Sequence, residues 1–224
     1  LLAFERGNDV ERKGIVDGVM RSLETGFVYS AHDISYNFLD DVYGKLDDFF
    51  TLAPDLKKTA VAEGANGQRG YTGLLVETAA VSDIPDWKEM LNWGMDTPEG
   101  HPLRKKYPHR FFDNVFPEDL VPGISKTLEK FHGELLRLQL RFLRIIALGL
   151  GCHENFFDSC VPGGATLSRA IHYPEMTLAP SDSHVWADEH GDINLITALP
   201  RSTAKGLQIK TKDGWIDASP PDDH

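Results

Sequence analysis

Cysteine is scarce in this sequence, with two residues, Cys152 and Cys160, among 224. Two thiols are too few for the disulfide framework that supports many small secreted domains. No signal-type apolar stretch precedes them, so we expect a cytoplasmic protein in a reducing compartment. The two thiols are then expected to fill space near a helix end.

Positive charge is scarce as well, with 23 Lys and Arg against 34 Asp and Glu and a formal net charge of −11. Because binding to nucleic acid relies on clustered cations, we expect no nucleic-acid partner. Long uncharged apolar runs are also lacking, since the longest helical pattern carries charges along one side, which excludes a membrane span. With 41% hydrophobic and 25% charged residues, the composition is that of a soluble globular protein.

The segment from Gly64 to Gly73 is rich in glycine and has no hydrophobic period. It lacks the Gly-Lys-Ser/Thr of a P-loop, so it does not predict a phosphate-binding loop. Loops of this kind beside a rigid scaffold often line a site. Two interpretations of Arg69 and Tyr71 stay open: they grip a substrate carboxylate, or they are a solvated arginine and a packed tyrosine.

Three helices are expected in the first two-thirds of the chain. Asn8 or Asp9 caps the first helix and Asp33 caps the second, with a short strand over 26–30 between them. Apolar residues at steps of three and four predict the third helix over 124–148. We expect it to pack along a sheet or, alternatively, against a partner helix.

From residue 162 onward, short strands separated by turns are expected. Alternation predicts a strand over 166–173, and a turn joins 206–210 to 215–218 in a hairpin. Short strands without intervening helices indicate an antiparallel barrel or jelly roll rather than a parallel sheet.

These elements predict an α+β, mainly β fold, with a double-stranded β-helix (jelly roll) core and N-terminal and central flanking helices. We expect one domain over 1–224, helix-rich over 1–161 and with its jelly-roll core mainly over 162–224. Because the chain stops just after the predicted hairpin, we expect the C-terminal strands of the jelly roll to be missing from it.

His190 and Asp192 precede an apolar run over 193–199 that is typical of a strand. A strand directs residues i and i+2 to the same face, so the two side chains would project into one cavity. An imidazole and a carboxylate make up two-thirds of the 2-His-1-carboxylate facial triad, which leaves open positions at non-haem Fe(II). A His-x-Asp pair often occurs by chance, so it indicates a metal site only in combination with the motifs before and after it in the chain.

An ordered series of motifs runs along nearly the whole chain. The most specific are His172-Tyr173-Pro174, His190-Gly191-Asp192 with Leu195-Ile196-Thr197, and Gly206-Leu207-Gln208-Ile209 with Gly214-Trp215-Ile216. Weaker ones are Gly26-Phe27-Val28-Tyr29, Phe49-Phe50 with Leu56-Lys57, Arg69-Gly70-Tyr71 and Leu148-Gly149-Leu150. The series resembles the isopenicillin N synthase-like family of Fe(II)/2-oxoglutarate-dependent dioxygenases.

The resemblance implies that His190 and Asp192 are iron ligands and that the protein uses Fe(II), 2-oxoglutarate and O2. It also implies that Tyr173 holds a carboxylate, either of 2-oxoglutarate or of the substrate. The family has a third ligand histidine and, after it, an Arg-x-Ser that binds 2-oxoglutarate, and neither is in this sequence. The other histidines near the pair or after it are His172, His184 and His224. We expect His172 to be structural, and we expect neither His184 nor His224 to be the third ligand.

We therefore expect a 2-oxoglutarate-dependent oxygenase that hydroxylates, desaturates or cyclises a small molecule at an unactivated C–H bond. Two alternatives stay open: an isopenicillin N synthase-type Fe(II) oxidase without 2-oxoglutarate, and a non-catalytic jelly-roll binding protein with a degenerate metal site. Arg69, Tyr71 and Arg169 hint at an amino acid or another carboxylate as substrate, although Arg169 could instead pair with a core acid. No oligomeric state is predicted.

Overall fold

The computed structural model describes residues 1–79, 82–161 and 163–218. Its α-helices are α1 (Leu2–Arg6), α2 (Asp9–Ser22), α3 (Tyr36–Phe50), α4 (Pro54–Lys58), α5 (Pro102–Lys106) and α6 (Ile124–Gly149). Its strands are β1 (Gly70–Thr72), β2 (Glu89–Gly94), β3 (Leu167–His172), β4 (Gln208–Thr211) and β5 (Gly214–Asp217). Short 3₁₀ helices form at Leu23–Thr25 and Met176–Leu178. No helix within the described ranges has an apolar stretch long enough to cross a membrane.

Asn8 starts α2 with a reciprocal set of hydrogen bonds. Its side chain accepts from the backbone N–H groups of Val10 and Glu11, and the Glu11 carboxylate accepts from the N–H of Asn8. This capping box satisfies donors that a helix N-terminus otherwise leaves unpaired. After the 3₁₀ turn, Gly26 adopts a left-handed φ of 81°, which ends the helical segment. The first predicted helix is confirmed.

The second helix starts later than its predicted cap. α3 follows Ser35 as its N-cap residue, and Asp33 lies outside it. The Asp33 carboxylate instead accepts hydrogen bonds from the guanidinium groups of Arg137 and Arg141. Hydrogen bonds between charged groups are roughly twice as strong as neutral ones, so two arginines compete well with a backbone donor. The predicted cap was therefore wrong.

The long helix is confirmed, because α6 covers Ile124–Gly149 where 124–148 was predicted. Its buried side chains include Ile124, Leu128 and Phe131, which repeat at steps of four and three. The chain turns away soon after the helix, where Gly151 has a φ of 71°.

The chain divides into two structural units. The described residues of the first unit lie within 1–34, 135–161 and 194–218, and those of the second lie within 35–134 and 163–193. The single-domain organisation stays a prediction.

Helical segments form the core of the first unit. Buried side chains of α1 and α2 pack with those from the end of α6: Phe4, Val16, Val19, Leu143, Ile145 and Ile146. The predicted hairpin is also confirmed in this unit, since β4 pairs antiparallel with β5 and Thr211 lies opposite Gly214. Gly214 has a φ of 116°, which favours glycine in this tight connection.

An antiparallel sheet in the order β1-β2-β3 organises the second unit. Its central strand, β2, is buried along its whole length. Within β2, Trp93 donates a hydrogen bond of 2.9 Å from Nε1 to the Leu128 carbonyl of α6. The register of β2 and β3 places Asn92 opposite Arg169. The short strand β1 lies at the end of the glycine-rich segment that was predicted to be a loop.

Two predicted strands do not form within the described residues, one over 26–30 and one over 193–199. A strand needs a neighbour to pair its backbone N–H and C=O groups. In the second segment, Ile193 is 99% exposed, so no described residue covers it. The description of the fold as mainly β was also wrong for the described residues, since α6 alone, with 26 residues, exceeds the five strands combined. The observed fold is mixed α and β.

Candidate metal site

His190 and Asp192 approach each other in an irregular segment of the second unit. The Nε2 atom of His190 lies 4.0 Å from the Oδ1 atom of Asp192, and both side chains are exposed by more than half. The predicted strand does not carry them, and both side chains are exposed rather than enclosed in the predicted cavity, so their role as metal ligands stays a prediction. An imidazole nitrogen and a carboxylate oxygen are both ligands that Fe(II) accepts, and the exposed side chains are able to adjust around a shared ion.

A backbone hydrogen bond determines which nitrogen of His190 is available to a metal. The Nδ1 atom lies 2.8 Å from the carbonyl oxygen of Asp188. Because a carbonyl oxygen only accepts, Nδ1 carries the proton and the neutral ring keeps its lone pair on Nε2. Metal-ligating histidines usually donate their other N–H in this way. The nitrogen that faces Asp192 is therefore the one suited to bind a metal, and the pair fits Fe(II).

A third ligand is not assembled beside this pair, because no group of three His, Cys, Asp or Glu side chains suited to a metal ion occurs among the described residues. His172 Nδ1 lies 2.8 Å from Glu89 Oε1, which agrees with its predicted structural role. His184 Nδ1 lies 2.9 Å from Ser181 Oγ. His224 lies outside the described residues.

The irregular segment before His190 is tied to the residues that lead into β2. The Trp87 N–H donates a hydrogen bond of 2.8 Å to the Val185 carbonyl. The Asp188 N–H donates one of 3.2 Å to Asp86 Oδ1. These bonds pair backbone groups that have no partner in regular secondary structure.

Tyr173 follows β3 and packs against Trp186, with ring centres 6.3 Å apart. Trp186 Nε1 in turn donates a hydrogen bond of 2.8 Å to the Pro174 carbonyl. A tyrosine hydroxyl is a neutral donor at pH 7, and burial raises the pKa of Tyr173 further. Among the described residues, none is hydrogen-bonded to it. It is thus suited to donate to a carboxylate.

Arg169 and Ile171 share one face of β3, and Tyr173 follows directly after the end of this strand. Arg169 Nε donates a hydrogen bond of 2.8 Å to Asn92 Oδ1, and its Nη2 lies 3.6 Å from Glu77 Oε1. The acid partner predicted as one alternative is present, but Glu77 is not a core residue, since its side chain is 33% exposed. The guanidinium remains partly accessible.

Tyr71 and Arg69 are both buried. The Tyr71 hydroxyl donates to Glu89 Oε2, and burial together with this bond raises its pKa. The interpretation of Tyr71 as a packed residue fits this environment, and the interpretation of Arg69 as solvated was wrong. Arg69 donates from Nη1 to the Gln68 carbonyl, whereas its Nε has no hydrogen-bond partner in the described part of the chain. A Cβ at Gly94 would collide with the guanidinium, so glycine there makes room for it.

A buried polar cluster beside Arg69 was not expected from the sequence. His132 of α6 has its Nδ1 2.8 Å from Ser168 Oγ and its Nε2 3.0 Å from Thr166 Oγ1. Burial and, second, the charge of Arg69 lower the pKa of His132, so the ring is neutral at pH 7. Its position beside the apolar face of α6 was the sole signal in the sequence.

Glu89 forms the centre of a second buried cluster that sequence reasoning missed. Its carboxylate accepts hydrogen bonds from Lys57 Nζ and the Tyr71 hydroxyl and contacts His172 Nδ1. Burial raises the pKa of Glu89, but the bonds from Lys57, Tyr71 and His172 outweigh it, and the pKa lies below its usual value. Sequence spacing cannot reveal this cluster, because only the pairing of β2 with β3 brings Glu89 opposite His172.

Known proteins resemble this chain in sequence and in fold. Residues 3–119 match the family model described as non-haem dioxygenase in morphine synthesis N-terminal. Isopenicillin N synthase of Streptomyces griseus is 26% identical over 225 residues, which cover 94% of this chain and 67% of that protein. A 2-oxoglutarate-Fe(II) type oxidoreductase of Aspergillus fumigatus is 24% identical over 204 residues, which cover 88% and 60%. The crystal structure of a full-length Neurospora crassa protein in complex with alpha-KG has 28% identity and a TM-score of 0.81, and the match covers 99% of this chain and 68% of that one.

The family model matches more than half of the chain. The chain therefore belongs to the isopenicillin N synthase-like family of Fe(II)/2-oxoglutarate-dependent dioxygenases, and the resemblance inferred from the motifs is confirmed. It spans 57% to 67% of the length of the curated relatives that it matches first.

Proposed function

We propose that this protein is an Fe(II)- and 2-oxoglutarate-dependent oxygenase that hydroxylates an unactivated C–H bond of a small molecule. One observation carries the proposal. The Nε2 atom of His190, whose lone pair is fixed by the bond from Nδ1 to Asp188, faces the Asp192 carboxylate. An imidazole and a carboxylate are ligands of the facial triad at non-haem Fe(II). Desaturation and cyclisation are alternative outcomes at the same site.

The facial triad requires a second histidine. We propose that this ligand, and the strands that complete a jelly roll, come from sequence outside the described residues. The greater length of the relatives supports this, since the matched Neurospora crassa chain is covered to 68%.

His190 and Asp192 would hold the iron, which together with 2-oxoglutarate supplies the oxidising power when both are bound. The side chains and backbone of this protein would hold the reacting groups in place. The Asp188 carbonyl keeps the His190 ring oriented. The Tyr173 hydroxyl, protonated at neutral pH, would donate to a carboxylate of the cosubstrate or substrate. Trp186 lies beside the Tyr173 ring at a tilt.

A small organic molecule is the proposed substrate class. The same Neurospora crassa protein, which matches with 27% identity and a TM-score of 0.80 in its complex with alpha-KG and thymine, supports this class. For an anionic substrate, Arg169 is the better candidate of the two arginines, because its side chain is 30% exposed whereas Arg69 is 3% exposed. A substrate carboxylate would then compete with Glu77 for Arg169.

Anaerobic titration of the full-length protein with Fe(II) and 2-oxoglutarate tests the proposal. We expect a weak visible charge-transfer band at roughly 500 nm, typical of such a chelate. His190→Ala and Asp192→Ala should abolish the band. His184→Ala, six residues before His190 and bonded to Ser181 instead, should keep it. Absence of iron binding in the unaltered protein would leave only the non-catalytic binding protein.

The alternative expected from the sequence, an Fe(II) oxidase that needs no 2-oxoglutarate, is not favoured, since several relatives are named for 2-oxoglutarate and the matched Neurospora crassa structure contains alpha-KG. The two candidates differ in product. The oxygenase requires 2-oxoglutarate and forms succinate as it takes up oxygen. The oxidase takes up oxygen in the presence of its substrate even when 2-oxoglutarate is left out, and it forms no succinate.

A further inference from the structure

Asp86 is a buried acid whose two carboxylate oxygens have different partners. Oδ2 accepts a hydrogen bond of 2.7 Å from Lys88 Nζ, and Oδ1 accepts one of 3.2 Å from the Asp188 N–H. Both side chains of the Asp86–Lys88 pair are largely buried. Because both oxygens are engaged, Asp86 is suited to orient a neighbour rather than to bind a metal itself.

The backbone on each side holds Asp86 in place. Its own N–H donates 2.9 Å to the Glu77 carbonyl, and the next N–H, of Trp87, donates 2.8 Å to the Val185 carbonyl. Lys88 also lies 3.4 Å from Glu77 Oε2, so its charge has a second acid nearby. The carboxylate of Asp86 is therefore a fixed acceptor, set by the residues that lead directly into the buried strand β2.

Asp188 is the residue that links the Asp86 carboxylate to His190. Its N–H is held by Asp86, and its carbonyl oxygen accepts from His190 Nδ1 at 2.8 Å. The direction of the Asp188 backbone thus determines where the imidazole points, and this segment has no regular secondary structure to fix it otherwise.

We propose that Asp86, neutralised by Lys88, is a positioning residue that orients His190 through the Asp188 backbone. This inference rests on the proposed function, because it takes His190 as a metal ligand. Groups behind a ligating histidine typically contribute about 10- to 100-fold to metal affinity. Asp86 acts one residue further away, so the lower end, about tenfold, is expected.

Binding of Mn(II) to the full-length protein, followed by the electron paramagnetic resonance signal of the free ion, measures this contribution. Asp86→Ala removes the acceptor and should weaken Mn(II) binding about tenfold. Asp86→Asn keeps a neutral acceptor, and neutral hydrogen bonds have about half the strength of charge-assisted ones, so a loss of about threefold is expected. Glu89→Gln is the matched control: it alters an equally buried acid three residues away that contacts Lys57, Tyr71 and His172 instead.

Nitrogen chemical shifts of the histidine rings in the metal-free protein give a second readout. The unaltered protein should hold His190 with its proton on Nδ1, and His190→Ala assigns the signal by its loss. Asp86→Ala should shift this signal toward a mixture of the two tautomers, because the Asp188 carbonyl is no longer held. Glu89→Gln should leave it unchanged.

The outcomes separate this inference from the proposed function. If His190→Ala loses Mn(II) binding while Asp86→Ala keeps both the affinity and the tautomer, the positioning role is overturned and the metal site stands. If Glu89→Gln weakens binding as much as Asp86→Ala, general loss of stability explains the effect and the inference also fails. If the unaltered protein and His190→Ala bind Mn(II) equally, the metal site itself is wrong and the inference falls with it.

Discussion

Lys57 Nζ lies 2.7 Å from the Glu89 carboxylate, and the two side chains are only 9% and 2% exposed. This is an ion pair in the interior of the second unit. Its neighbour in sequence, Lys58, pairs instead with Asp55 at the surface, where the side chains are 66% and 94% exposed. Two adjacent lysines thus form the same kind of pair in opposite environments.

Lys57→Met should lower the free energy of unfolding by about 3 to 5 kcal/mol, because it leaves the Glu89 carboxylate buried without its cation. Lys58→Met should change it by less than about 1 kcal/mol, since exposed pairs contribute little. Urea denaturation monitored by circular dichroism measures both. Equal losses in the two variants would contradict the difference in environment.

Removal of the Asn8 capping box should lower the free energy of unfolding by less than removal of the buried Lys57–Glu89 pair does. Asn8→Ala is expected to lower the free energy of unfolding by about 1 kcal/mol, because its side chain binds two N–H groups of α2. Ser35→Ala is the control, since Ser35 stands at the N-cap of α3 without a side-chain hydrogen bond. It should change stability by less than about 0.5 kcal/mol, and thermal melts of the two variants provide the comparison.

Asp33 should make the protein sensitive to strong acid. Burial alone would raise its pKa, but hydrogen bonds from Arg137 and Arg141 lower it to about 2. In the unfolded chain the value is about 3.9, so the stabilisation is complete above that pH and is lost as the pH falls through 2. Because the group is partly exposed, we expect about 1 kcal/mol. Asp33→Asn should therefore be about 1 kcal/mol less stable than the unaltered protein at pH 7. The two free energies of unfolding should become equal as the pH falls to about 2, which urea titrations at several pH values would measure.

His132 should produce a different pH dependence. Burial and the nearby Arg69 charge place its pKa below the ordinary value of about 6.5. As the pH falls, the unfolded chain therefore binds a proton at His132 before the folded protein does. The free energy of unfolding decreases as the pH falls from about 6.5 towards the lower pKa of the folded state. Above this range His132 has no effect on the pH dependence of stability. His132→Gln should flatten the curve between pH 7 and 5. Parallel curves for both proteins in urea titrations would show that His132 does not carry this effect.

Long periodic segments were the part of the fold that could be predicted. The face of α6 repeats along the whole helix, so its limits were predicted within one residue. Short strands were less predictable, because pairing depends on a distant partner. The strand over 166–173 has β2 beside it and forms, whereas the apolar run over 193–199 has no partner among the described residues and does not.

The candidate site divides in the same way. His190 and Asp192 lie side by side although the strand expected to align them is absent, so the irregular backbone, and not the predicted strand, sets their approach. By contrast, the contacts from Asp86 to Asp188 and from Glu89 to His172 join residues far apart in the chain, and only the folded backbone reveals them. The iron-ligand roles, the role of Tyr173 and the cytoplasmic location stay predictions.

Contact between Trp186 and Tyr173 gives the molecule a built-in optical reporter. Trp186 is partly exposed and lies against the hydroxyl-bearing ring proposed to receive a carboxylate. Trp93 is buried in the sheet, with its indole N–H bonded to Leu128. Indole emission shifts with the polarity around the ring. Occupancy of the Tyr173 region should therefore change the emission of Trp186, and a Trp186→Phe variant, which keeps Trp87, Trp93 and Trp215, should lose this change.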